Sequence, residues 1–189
     1  MIIRDKALKI LHEHIQNPNL RRHGLAVEAA MKALAGHFGE TDMDKWGIVG
    51  LLHDADYEET KDDVAQHGLK TVEWLKAAGE TDQEIFAAIA GHNYSRNGSA
   101  EPSDNLSWSV YCVDELTGLI VAAALVQPEK KLSSVTLESV QKKFNQNSFA
   151  AGVDREQIKM CQEKLGIPLP EFIKITLESM QGISTELGL

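Results

Sequence analysis

Residues 19–38 read NLRRHGLAVEAAMKALAGHF, and the apolar side chains Leu20, Val27, Met31, Leu34 and Phe38 recur in it at steps of seven, four and three. That is the period of a helix with one buried face, not the alternation of a strand. Gly39 follows at the position where a left-handed C-terminal cap is wanted. Outward from this segment the same period fills most of the chain, so the expected fold class is all-α. Helices are expected at about 2–15, 19–38, 42–53, 60–78, 81–92, 103–126, 133–145, 154–165 and 169–187. Thr81 with Glu84 spells a capping box, Asp154 with Gln157 resembles one, and Ser103 is placed to cap the helix after Pro102. Gly79 and Gly166 end helices as Gly39 does. Pro18, Pro102, Pro128, Pro168 and Pro170 fall at or near the breaks. The longest expected loop, Asn93 to Pro102, follows a histidine directly and reads as the rim or lid of a site.

The 189 residues fit one domain, at about 150 residues per domain. Hydrophobic residues at 43% and charged residues at 25% exclude wholesale disorder and a fibrous repeat. A net charge of −9 has the wrong sign for a general grip on nucleic acid, while a few convergent cations would still suffice for a small phosphorylated molecule. Cys112 and Cys161 form no close-spaced pair and read as core residues, which fits a reducing compartment. Charged residues interrupt Met1 to Ile15, leaving no signal-peptide core. The run Leu119 to Val126 is far short of the about 20 residues of a membrane helix, so no membrane partner is expected and the expected location is the cytoplasm. The oligomeric state is not readable, and a homo-oligomer is compatible with everything above.

The informative residues are polar ones on inward stripes. His23 lies three residues after Leu20 and four before Val27. Leu51 and Leu52 lead into His53 and Asp54. His67 falls between Val64 and Thr71, on a stripe continuing to Trp74 and Leu75. His92 follows Ile85 and Ile89, and Asp114 shares a face with Val110, Thr117 and Val121. One inward histidine alone is more often a hydrogen-bonded core residue, and a His-Asp dipeptide alone is weak. Together they bring two carboxylates and four imidazoles inward, where an unpaired carboxylate is costly and Lys and Arg are scarce. Imidazole with carboxylate suits Fe, Mn, Co, Ni or Zn, and Mg less well, so one or two divalent ions are inferred. His12, His14 and His37 read as structural. Asp56, Glu58 and Glu59 read as a solvated turn, with Asp56 a minor candidate for orienting a ligand.

This ordered set, His23, Leu51-Leu52-His53-Asp54, His67, His92 and Asp114, resembles the HD superfamily of metal-dependent phosphohydrolases over residues 19–126. Asp114-Glu115-Leu116-Thr117-Gly118, Lys142-Lys143-Phe144 and the stretch from Phe149 to Arg155 resemble a branch of small bacterial predicted hydrolases. The resemblance implies an HD-type helical bundle with a metal-binding core at 19–126 and additional C-terminal helices at 127–189. It implies a primary metal site of His23, His53, Asp54 and Asp114, and a second metal on His67 and His92 in a binuclear centre. A departure is the run His53-Asp54-Ala55-Asp56-Tyr57, which lacks the glycine that many members place one residue after the pair. The cyclic-dinucleotide phosphodiesterase branch is therefore disfavoured.

The function implied is hydrolysis of a phosphate ester or anhydride in a small molecule, nucleotides included, by metal-activated water. Asp54, His67 and His92 are the expected catalytic residues, Asp54 by bridging two ions and the histidines as ligands or, with one ion, as phosphate or proton groups. Arg22, Arg96, Lys142 and Lys143 are the cationic candidates for binding substrate. Two alternatives stay open: a di-iron oxygenase built from the same ligand types, and a catalytically silent small-molecule binding domain.

Overall fold

A computed structural model describes residues 2–189, which are helical with no strand among them. In chain order the helices are α1 Arg4–His14, α2 Pro18–Phe38, α3 Met43–Leu52, α4 Tyr57–Thr60, α5 Leu69–Ala77 and α6 Gln83–Gly91. They continue as α7 Tyr94–Asn97, α8 Asn105–Leu125, α9 Leu137–Phe144, α10 Arg155–Lys164, α11 Leu169–Gly182 and α12 Ser184–Leu187. The central helix α2 packs against α3, α8 and α11, and α8 against α2, α6 and α10. The buried side chains form one connected core from Ile2 to Leu187, into which the C-terminal helices fold back.

Most expected helices are present, and the differences have local causes. Asp82 caps α6 by accepting from Glu84 N, so the box built on Thr81 does not form. Asp104, not Ser103, caps α8 by accepting from Ser107 N. Asp154 caps α10 as expected, but the Gln157 side chain donates to Tyr111 O on α8 and closes no box. The expected helix 60–78 is two pieces: α4 ends at Thr60, turns fill 61–68, and α5 begins at Leu69. Val64, which suggested that the stripe ran further back, is 46% exposed. The expected loop after His92 contains α7, the expected helix 133–145 is α9 preceded by a 3-10 turn at Leu132–Ser134, and 169–187 divides into α11 and α12. Gly39, Gly79 and Gly166 take left-handed φ of 73°, 90° and 68°. By length and composition α8 is apolar enough to cross a membrane, a span the shorter run Leu119 to Val126 did not suggest, and 61% of its most apolar window is buried within this fold.

The contact between α2 and α3 decides where the polar residues meet. A Cβ on Gly24 would stand 2.9 Å from Leu51 O, and one on Gly50 would stand 2.7 Å from Val27 O. The two backbones therefore touch through reciprocal glycines, which alone lack the atom that would separate them. His23 adjoins one of these glycines and His53 lies three residues beyond the other.

One charged side chain anchors the outer side of α2. Glu28, 4% exposed, accepts from Arg4 Nε at 2.6 Å, Arg4 Nη2 at 2.9 Å and Lys32 Nζ at 2.8 Å. Burial pushes its carboxyl up, and the bonds from Arg4 and Lys32 outweigh burial and hold it below the usual value. Stability from this cluster is present above the unfolded Glu value of about 4.3 and is lost as pH falls through the lower folded value. The Arg4 side chain is 41% exposed, which discounts the pair. We expect Glu28→Gln to cost about 1–2 kcal/mol at pH 7, or about 5 °C in Tm. Thermal melts across pH should show that gap narrowing below about pH 4, and a constant gap would refute the assignment.

Candidate metal centre

Two helices, two helix ends and the turns that carry Asp54 and His67 deliver the cluster. His23 projects from the first turns of α2, and Asp114 from the middle of α8. His53 is the C-cap residue of α3, and His92 occupies the same place on α6. Each of these two turns its Nδ1 to a carbonyl three residues back, His53 to Gly50 O at 2.8 Å and His92 to Ile89 O at 2.5 Å. A carbonyl only accepts, so both Nδ1 atoms carry the hydrogen. His23 Nδ1 meets Thr117 Oγ1 at 3.2 Å. That hydroxyl donates to Asp114 O at 2.9 Å and so accepts from the ring. His67 Nδ1 lies 2.7 Å from Asp56 Oδ1. All four imidazoles thus spend Nδ1 outward and aim Nε2 at one another and at two carboxylates.

The separations are close and even. His23 Nε2 is 3.0 Å from Asp114 Oδ1 and 3.6 Å from Asp54 Oδ2. His53 Nε2 is 3.4 Å from Asp114 Oδ1 and 3.3 Å from His23 Nε2. His67 and His92 place Nε2 at 3.1 and 3.3 Å from Asp54 Oδ1, and 3.1 Å from each other. Ligands held at about 2.1 Å from a transition ion stand about 3.0–3.4 Å apart in octahedral and tetrahedral shells, so these spacings fit a first coordination shell. The donors divide into two groups, His23 with His53, Asp54 and Asp114, and Asp54 with His67 and His92, each with ligand atoms within 4.8 Å. Asp54 belongs to both, with Oδ2 toward His23 and Oδ1 toward His53, His67 and His92.

Electrostatics explains why the cluster tolerates burial. Burial opposes charge on His53, and the fields of Asp54 and Asp114 outweigh it, raising the ring to about 9. Burial likewise opposes charge on His67, and the bonds to Asp54 and Asp56 raise it to about 10. Burial would raise both carboxyls, and the neighbouring rings hold Asp54 and Asp114 far below the usual carboxylate range. A proton and a metal ion compete for the same Nε2 lone pairs.

A cavity of about 550 Å³ opens above the cluster, lined by His23, Asp54, His67, His92 and Asp114 at its base. Arg96 and Lys61 line it, together with Tyr57, Tyr111, Glu115 and Gln157. Among the cationic candidates from the sequence only Arg96 reaches this lining. Arg22 packs near Gly188, Lys143 lies over the Phe149 ring, and Lys142 is exposed away from the cavity. Lys61 was not singled out, because it sits in a charged run whose turns are not visible in periodicity. Asp56 is a correction: it is 0% exposed and bound to His67, Gly68 N and Thr71 N, whereas Glu59, 42% exposed, bonds His14, and Glu58 holds Gln16 N and Asn17 N. Cys112 and Cys161 are buried, as expected, while His14 stacks on Trp74.

A family model described as HD domain matches residues 20–138, more than half of the chain and all six convergent residues. No curated protein and no solved structure matches the chain.

Because Asp54 serves both groups and His92 only one, their replacements should differ. We expect Asp54→Ala to abolish tight metal binding and His92→Ala to lower the content by about one ion per chain, as shared-ligand sites require. Asp114→Asn keeps shape but loses charge, and should fold and bind metal more weakly. Elemental analysis with circular dichroism checks all three, and full metal content in Asp54→Ala would sink the centre.

Proposed function

The chain belongs to the HD-domain family, and from that premise we propose that it is a phosphohydrolase that uses one or two divalent ions to cleave a small phosphate ester or anhydride, nucleotides among the candidates. The observation that carries this reading is the even donor spacing at the base of a cavity whose lining supplies two cations. The ions would be held by His23, His53, Asp54 and Asp114 in one position and by Asp54, His67 and His92 in the other. Fe, Mn, Co, Ni or Zn match these donors better than Mg. A bound ion acidifies water toward neutral pH and offsets charge on phosphoryl oxygens.

The chain's own residues supply the rest. Phosphoryl transfer gathers negative charge on the equatorial oxygens, and Arg96 and Lys61 face the space where those oxygens would lie. Arg96 presents a planar fork suited to two oxygens at once, and Lys61 a compact charge. Asp54 sets the two donor groups in register because its carboxylate faces the histidines of both. A cavity of about 550 Å³ lies within the usual range for small-molecule sites, about 300–1,000 Å³. Tyr57 and Tyr111 line the same cavity and add aromatic surface for an organic leaving group.

Protein reconstituted with each of these ions and assayed without oxygen against phosphate monoesters and nucleotides should release inorganic phosphate from a subset of them. Arg96→Ala and Lys61→Ala should each raise KM about tenfold, the lower end for a charge-assisted hydrogen bond at a solvent-facing site. Oxygen uptake without phosphate release would replace hydrolysis with the oxygenase reading.

A further inference from the structure

We propose that Asp56 is a positioning residue that creates the second ion position by fixing the place and the tautomer of His67, an inference that rests on the two-ion reading above. His53 and His92 are carried by helix ends and oriented by carbonyls of their own helices, and His23 and Asp114 stand on long packed helices. Among the four histidines His67 alone neither lies in a helix nor caps one, and sits in turns whose preceding residues, Lys61 to Gln66, are exposed. Beyond the cluster, its ring has a close polar partner in Asp56 Oδ1 at 2.7 Å. Thr60 Oγ1 is a distant second at 3.4 Å and already donates to Asp56 O.

Asp56 does more than orient the ring. Its other oxygen accepts from Gly68 N at 2.8 Å and Thr71 N at 3.0 Å, the first backbone donors of α5. Gly68, the N-cap position of α5, has no side chain to perform that task. Its φ of 84° suits glycine, and a Cβ there would stand 2.9 Å from Ile89 O and 3.2 Å from His92 Cε1. The loop is therefore pressed against the end of α6 where His92 sits, and one buried carboxylate sets both the loop and the ring within it. Accepting from Nδ1 leaves Nε2 to face Asp54 and His92 and makes it a stronger donor to metal. An asparagine would not substitute, because one acceptor oxygen faces three N–H donors.

Zinc and manganese titrations followed by calorimetry and elemental analysis test this. Wild type should bind two ions per chain. Asp56→Asn should keep the first and weaken the second by about 10–100-fold, the range for loss of a residue that orients a ligand. In a His67→Ala background Asp56→Asn should cause no further loss at that position, because its effect runs through His67. Two ions at wild-type affinity in Asp56→Asn overturns the inference and leaves the two-ion reading standing, even if the variant melts earlier. One ion in the wild type overturns both. Nitrogen NMR of the zinc-loaded wild type requires no variant to fold: His67 should carry hydrogen on Nδ1 and zinc on Nε2, and the reverse arrangement overturns the inference.

Discussion

Two carboxylates, Asp54 and Asp114, share one largely enclosed site at the base of the cavity, and each raises the cost of ionising the other. An ionised pair in low dielectric is tolerated only with positive charge or strong donors at contact distance, since desolvation otherwise dominates. Four imidazoles meet that demand here. His53 and His67, both raised well above a free ring, also make it reversible, because such a ring answers a carboxylate as a cation and a metal as a neutral donor. A lysine in the same place would neutralise Asp54 permanently and leave no lone pair for an ion. The histidines are therefore suited both to folding without metal and to giving way to it.

That requirement propagates into the helices. Rings within about 3 Å of each other need backbones that approach closely, and Gly24 and Gly50 let α2 and α3 touch. The rings at the ends of α3 and α6 use a local device, Nδ1 on the carbonyl three residues back. It satisfies a carbonyl that a helix end leaves open and directs Nε2 away from the helix. The cationic form of His53, at the C-terminus of α3, is also favoured by the helix dipole. One arrangement thus serves capping, electrostatics and ligand geometry together.

Much of this was legible in the residues. The steps of three and four located the long helices, and inward histidines on apolar stripes located His23, His53 and His92 without any structure. His67 was found by the same logic for the wrong reason: it sits in turns, and the stripe seen through Val64 does not exist, since that side chain is exposed. Asp56 reads as part of a solvated turn and only as a minor candidate for orienting a ligand, whereas the structure buries it against His67. In the run DADYEETKDD nothing in the pattern says which acid turns inward, because that depends on Gly68 N and Thr71 N, brought close only by the fold. Lys61 was missed for the same cause. Asp104 and Asp82 displaced Ser103 and Thr81 as caps, a choice between adjacent cap-forming residues that spacing alone does not resolve.

The acid surplus of the chain and the anionic substrate proposed for it look opposed, and distance removes the conflict. At physiological salt the field of an exposed charge is largely screened beyond about 8 Å. Much of the surplus lies on exposed side chains away from the cavity, such as Glu40, Asp44, Glu163 and Glu178, while Arg96 and Lys61 stand at its wall. Within the cavity the balance is set by those two cations, by Glu115 and Asp154, and by the cluster at its base, whose rings already offset its carboxylates. A divalent ion adds charge where the phosphoryl oxygens would approach, so the site becomes most receptive to an anion when it is loaded. Net charge describes how the molecule meets solvent, and a few residues within one screening length describe what enters its cavity.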